Sequence, residues 1–316
     1  MPHEGSDWAR RGLRDSRTPF VKIAQAIAYS QPVYLLCRKK SDIDDLFCSK
    51  QNIIFIECDY NDTWTRDYAP LSADSSEGKV LLDFRFDGWG GKYEAELDDA
   101  VGRYLGKKGY FGTTPIKRVE FTLEGGSIEC DGEGTVLTTS SCLCNPNRNG
   151  GLSKEEVEEV LRAHIGARRI LWLDHGYLSG DDTDGHIDML ARFADRETIL
   201  YIRCDDPSDE HYEELSLMEE QLASFRTAEG KPYKLVPLPM CDAAYGDEGK
   251  RMPLSYANFL ISNKAVLYPT YGDRHDREAG DILRGSFPGR EIIPIPSLSL
   301  SAEGGSLHCS TMQINY

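Results

Sequence analysis

Residues 124–130 read EGGSIEC, and residues 303–309 repeat the phrase as EGGSLHC. Two near-copies so far apart mark a chain built from one supersecondary unit used several times. Three other polar clusters fall before or between them: Trp64-Thr65-Arg66-Asp67, Asp181 to Asp188, and Ser255 to Phe259. The intervals are roughly 50 to 75 residues, which gives about five copies of the unit. Five are too few for an open solenoid with separate capping repeats, so the pattern predicts closure into a ring. Equivalent loops of a ring meet at its axis. Asp67, Glu124, His186 and Cys309 are therefore expected in one central site despite their separation along the chain.

The units alternate strands with helices. Short runs rich in β-branched and aromatic residues predict strands over 33–37, 53–57, 80–84, 136–139, 170–173, 199–203, 235–238, 265–268 and 292–295. The clearest helix spans 153–165: Ser153 and Glu156 form a capping box, Val157, Val160, Leu161 and Ile165 make the apolar stripe, and Gly166 stops it. A second runs over 208–225, with Leu215, Met218, Leu222 and Phe225 facing inward. This alternation argues an α/β class. The 316 residues would fill two ordinary domains, and they also fit a single closed repeat domain over 1–316.

Composition narrows the function. At 40% apolar, 10% aromatic and 28% charged residues, the chain is neither collagenous, low-complexity nor disordered. No apolar run approaches the roughly 18 residues that span a bilayer. The net charge of −16 repels phosphate backbones and anionic headgroups and attracts cations. Nucleic acid and membrane are thus poor partners, and a small cationic substrate is a good one. The nine scattered cysteines are an odd number and form no disulfide framework. Residues 2–20 carry charges throughout and lack a secretory apolar stretch, so a reducing cytoplasmic location is expected.

The clusters carry chemistry. Leu178 to Asp188 packs four carboxylates and one imidazole into eleven residues, either a solvated turn, a divalent-cation loop or an acid/base site. Extended spacing would put His186 and Asp188 on one strand face. A carboxylate beside that imidazole tunes it as an acid/base group. Cys309 follows two glycines in a loop-to-strand context that lets a ligand approach. Adjacent strand residues face opposite ways, so His308 is expected to be structural and His186 to supply the base. Asp67 lies near Trp64, and an aromatic face with a carboxylate suits a flat cation. Cys142-Leu143-Cys144, lacking a partner pair, is read as packing rather than zinc. His3, His164, His175, His211 and His275 stand alone and receive no role.

The phrases NDTWTRDYAP (61–70), FDGWGGKY (86–93), LEGGSIECDG (123–132), GDDTDGHIDMLARF (180–193), SYANFLISN (255–263) and GGSLHCSTMQ (304–313) together resemble the agmatine deiminase family, also called the Porphyromonas-type peptidylarginine deiminase family. The resemblance covers nearly the whole chain. It implies the pentein fold, a five-bladed α/β propeller with pseudo-fivefold symmetry. It also implies Cys309 as nucleophile, His186 as acid/base, Asp188 and Asp67 as the pair that grips a guanidinium, and Glu124 as the group orienting the histidine. Trp64 and Asp182 resemble substrate-contact positions. Relatives usually carry a strand before the PHxxSDW segment, which begins here at Pro2, so either the true start lies further upstream or the first blade lacks a strand.

The implied reaction is agmatine hydrolysis to N-carbamoylputrescine and ammonia through a covalent thiouronium on Cys309, with no metal or organic cofactor. The acidity around Asp181 and Asp182 favours agmatine, because an arginine-specific site needs a cation for the α-carboxylate. Free or peptidyl arginine is the alternative substrate. A metal-dependent hydrolase using Asp181, Asp182, Asp184, His186 and Asp188, and a non-catalytic pentein binding protein, are the other readings. Relatives are often homo-oligomers.

Overall fold

The computed structural model describes residues 1–247 and 249–316. The chain opens with α1 (Leu13–Ala28), followed by β1 (Val33–Cys37) and β2 (Ile53–Glu57), which pair in parallel. This first sheet has two strands.

Four repeats of a fuller unit follow. In each, a first strand pairs antiparallel with a second, and a helix then carries the chain to a third strand parallel to the second. The first repeat is β3 (Leu71–Ser75), β4 (Gly78–Arg85), α2 (Glu96–Lys107) and β5 (Ile116–Thr122). The next is β6 (Ile128–Cys130), β7 (Thr135–Thr139), α3 (Lys154–Ile165) and β8 (Arg169–Leu173). Then come β9 (Ala191–Asp195), β10 (Thr198–Arg203), α4 (Tyr212–Ser224) and β11 (Lys234–Pro239). The last is β12 (Leu260–Ile261), β13 (Ala265–Thr270), α5 (Asp276–Ser286) and β14 (Glu291–Pro296). The result is the pentein architecture, a five-bladed α/β propeller.

All nine predicted strands are present. The middle strands TVLTT (β7), TILYIR (β10) and AVLYPT (β13) are buried almost end to end, because each is paired on both edges. The unpredicted strands β3, β5, β6, β9 and β12 are mostly the short first strands of each blade. Their pairing comes from the neighbouring ladder rather than their own propensity. In α3 the capping box of Ser153 and Glu156 forms as expected, and Gly166 ends the helix at φ 71°. Val157 and Leu161 are fully buried, each contributing roughly 1.5–3 kcal/mol by leaving water. The second predicted helix starts four residues late, at Tyr212. Upstream, Asp206 captures the Ser208 N–H (2.9 Å) and hydroxyl (2.7 Å) in a turn that competes with helix.

Four junctions carry the chain from the last strand of one blade into the next, and a fifth equivalent segment follows β14. They hold a helical turn at Thr65–Tyr68, 3-10 turns at Gly125–Ser127 and Ile187–Met189, the stretch Ser255 to Phe259, and the tight turn around Cys309. These are the five polar clusters of the sequence.

Candidate active site

The junctions bring their side chains together. Cys309 Sγ lies 3.8 Å from Asp188 Oδ2. Asp67 Oδ1 is 3.7 Å from His186 Nδ1 and accepts the Gly126 N–H at 3.0 Å. A Cβ built on Gly126 would stand 2.7 Å from His186 Nδ1, 2.8 Å from Asp67 Oδ1 and 3.2 Å from Asp188 Oδ2. Thus two junctions aim an imidazole and two carboxylates at the Gly126 of a third, and only glycine leaves room there. Cys309, His186, Asp67, Asp188 and Glu124 are all buried.

Two local expectations need correction. His186 and Asp188 do not share a strand face: Ile187–Met189 is a 3-10 turn that brings both side chains to the same spot. It follows a loop tied by Asp181, whose carboxylate accepts from Thr183 N (3.0 Å), Thr183 Oγ1 (2.6 Å) and Gly185 N (3.0 Å). Likewise, 307–310 is a turn, with Ser310 N donating to Leu307 O. Strand alternation does not apply there, and His308 and Cys309 both meet Asp188: His308 Nδ1 lies 2.7 Å from Asp188 Oδ2.

Glu124 takes Arg148 as its partner, with Nε to Oε1 at 2.8 Å. Among the described residues its other oxygen finds no hydrogen-bond partner, nor does either ring nitrogen of His186. A Glu124 oxygen, Cys142 Sγ and a His186 ring nitrogen do lie within 4.8 Å of one another. Cys142 is packed as expected, buried in an apolar cluster with Leu143 and Leu161, and that cluster abuts the site. Trp64 belongs to the apolar core, tilted against Trp8 (5.4 Å between centroids) and covering Gly305, whose Cβ would come within 2.6 Å of the indole. Asp182 is exposed, accepts the Tyr93 hydroxyl, and lies 3.5 Å from Lys92 Nζ.

The four acids and one imidazole considered as metal ligands do not gather. Asp184 holds Arg148 (2.6 Å) and Lys92 (2.9 Å), Asp188 holds His308, and Asp181 holds its own loop. Arg66 turns from Asp67 to Met312 and Gln313.

Sequence reasoning missed two contributors. Trp89 donates its indole N–H to Asp67 Oδ2 at 3.1 Å. It does so from a left-handed backbone (φ 58°), costly for an aromatic residue and held here by edge contacts with Phe86 and Tyr93. Asn258 donates Nδ2–H to Cys309 Sγ at 3.3 Å, and its Oδ1 accepts from His308 N at 2.7 Å. The signal for Asn258 was its position: it lies in the one junction cluster to which no chemistry was assigned.

Electrostatics follow from burial. Desolvation raises Asp67, with Asp188 and Glu124 adding to it. It pushes Asp188 up to about 7, against the pull of Arg192 and Arg66. It drives the Cys309 thiol well up, with Asp188 and Asp67 adding to the rise. It holds His186 well below its ordinary value, with Arg148 contributing. The thiol and the imidazole are therefore both neutral at pH 7. Among the described residues no lysine or arginine forms a salt bridge with Asp67 or Asp188, and Asp188 Oδ1 has no hydrogen-bond partner.

Residues 1–314 match the family model described as Porphyromonas-type peptidyl-arginine deiminase. A Legionella pneumophila protein carrying the provisional name agmatine deiminase is 34% identical, over 99% of this chain and 89% of the relative. A Porphyromonas gingivalis structure provisionally named an arginine deiminase is 44% identical, covers 99% of this chain and 93% of its own, and superposes with a TM-score of 0.93. A cysteine-to-serine variant of C. jejuni agmatine deiminase, solved with substrate bound, is 37% identical over 98% of this chain and 90% of its own, with a TM-score of 0.90.

Proposed function

The chain belongs to the Porphyromonas-type peptidyl-arginine deiminase family, and on that footing we propose that it hydrolyses agmatine to N-carbamoylputrescine and ammonia. The observation that carries this reading is the pair Asp67 and Asp188: two buried carboxylates without a lysine or arginine salt-bridge partner among the described residues. Buried negative charge demands a cation. A guanidinium offers paired N–H donors on both edges of a plane and fits between two acids.

In this reading the carboxylates fix the plane and localise the charge, with the central carbon beside Cys309 Sγ. The substrate's positive charge offsets the acids that hold the thiol neutral. The thiol proton leaves for His186, and the thiolate attacks the carbon. The imidazolium returns that proton to the leaving nitrogen, ammonia departs, and a thiouronium remains on Cys309. His186, neutral again, takes a proton from water as it attacks the same carbon, and collapse of that adduct frees the thiolate and the ureido product. Asn258 Nδ2–H, 3.3 Å from the sulfur, stabilises its anionic form. Glu124, joined to Arg148, lies behind His186 and keeps its surroundings polar. No step needs a metal or organic cofactor.

The assignment of agmatine rests on the rim. Asp182 is the most open carboxylate of its loop and is assigned the substrate's ammonium; Trp64 backs the Cys309 turn through Gly305. Lys92, beside Asp182, is the cation that an arginine α-carboxylate would seek, so the two substrates separate experimentally. Ammonia and ureido product are measured with agmatine, arginine and a blocked arginine peptide. Agmatine is expected to be turned over best, and Cys309→Ala to abolish turnover of all three. Better turnover of either arginine substrate reassigns the substrate, and an active Cys309→Ala variant removes the mechanism.

A further inference from the structure

Behind the two carboxylates runs a buried chain of hydrogen bonds that the reaction above does not use. Arg192, on β9, gives Nε to Glu129 Oε2 at 2.7 Å and Nη1 to the backbone oxygens of Phe259 (2.8 Å) and Ala257 (3.4 Å). Its Nη2 lies 3.1 Å from His308 Nε2, and His308 Nδ1 lies 2.7 Å from Asp188 Oδ2. Arg192, His308 and Asp188 are all buried, and the guanidinium is further fixed over the Phe259 ring at 4.9 Å.

A guanidinium has donors only, so His308 Nε2 must be the acceptor and the ring proton must sit on Nδ1. The opposite tautomer would face N–H against N–H at one end and a lone pair against a carboxylate at the other. A second proton on the ring is opposed by burial, then by Arg192 and Arg66.

We propose that Arg192 is a positioning residue: it locks His308 as the Nδ1–H tautomer, and His308 in turn donates to Asp188 Oδ2, favouring the ionised carboxylate and leaving Oδ1 free for the substrate. This rests on the reading that a guanidinium binds between Asp67 and Asp188. The groups that face Asp188 are Arg66 and Asp67 from the first junction, Glu129 from β6, Asp181 and His186 from its own loop, Arg192 from β9, and Asn258, His308 and Cys309 from the last two. Arg192 is the strongest cationic influence on it and Arg66 the next.

The test joins a measurement that needs no turnover to one that does. Nitrogen-15 NMR of the imidazoles in the wild-type protein, with His308 assigned by its loss in His308→Gln, reports the tautomer. The Nδ1–H form is expected; the Nε2–H form or an imidazolium overturns the proposal. Kinetics then use side chains that copy one ring nitrogen each, since an asparagine amide reaches the Nδ1 position and a glutamine amide the Nε2 position. His308→Asn is expected to keep kcat/KM for agmatine within roughly tenfold of wild type, and His308→Gln to lose roughly 100-fold. In Arg192→Met the acidic limb of kcat/KM is expected to move up by roughly one pH unit, with Arg192→Lys intermediate. An unmoved limb, or His308→Gln outperforming His308→Asn, overturns the proposal. A wild-type protein that shows the Nδ1–H signal but no agmatine turnover would sink the assigned reaction and leave the tautomer lock standing.

Discussion

At the scale of single residues, the site is a problem of buried charge. Asp188 is pushed up to about 7, so near neutral pH it is partly protonated before substrate arrives. Because the folded value lies above the unfolded one, ionising Asp188 costs the native state. Its contribution to stability is full below pH ~4 and declines as pH rises toward about 7. A guanidinium reverses the local balance by favouring the charged carboxylate. Agmatine binding near pH 7 should therefore release protons, and apparent affinity should fall as pH drops below about 7. Calorimetry on the Cys309→Ser variant, in buffers of different ionisation heat, measures this directly; proton uptake on binding would contradict the account. Cys309, His186, Asp188 and Asp67 were all legible as residue types in polar clusters. Asn258 and Trp89 were not, because an amide and an indole announce no chemistry until a sulfur and a carboxylate lie beside them.

At the scale of elements, the junctions matter more than the strands they join. The turn Gly125–Ser127 carries no reacting group, yet its middle residue is the floor under His186, Asp67 and Asp188. Gly126→Ala is expected to lower kcat/KM by roughly 100-fold, the scale of a displacement near 1 Å among reacting groups, while the protein stays folded. Steady-state rates with a thermal melt would show it, and an alanine variant at wild-type activity would refute the convergence on that point. Strand positions were legible because the middle strand of each blade is an apolar run. Helix α1 was not, because Pro19 inside it reads as a breaker, and the buried face of Phe20, Ile23 and Ala24 compensates for that defect only once packed.

At the scale of the whole molecule, the charge of −16 is a property of the surface that the site exploits. Agmatine carries two positive charges near neutral pH and free arginine a net one. Attraction to an acidic protein should thus speed agmatine encounter more. Raising ionic strength from about 0.01 M to 0.15 M shortens the screening length from roughly 30 to 8 Å. The kcat/KM for agmatine should fall over that range, more steeply than for arginine, and a salt-independent ratio would rule steering out. Among the described residues no helix is long and apolar enough to cross a membrane.

The repeat, the α/β class, the middle strands, the best-capped helix and the five polar clusters were readable before any contact was known. Each is a local pattern or a recurrence that needs no knowledge of what lies opposite. That His186 and Asp188 meet across a 3-10 turn rather than along a strand, and that Glu124 takes Arg148, emerged from the packed chain. It alone placed His308 and Cys309 on one carboxylate and Arg192 behind them. The contacts of His308 and Cys309 join positions 116 to 121 residues apart. They exist because closing the ring brings five loops into one buried space, where a polar atom left without a partner is costly.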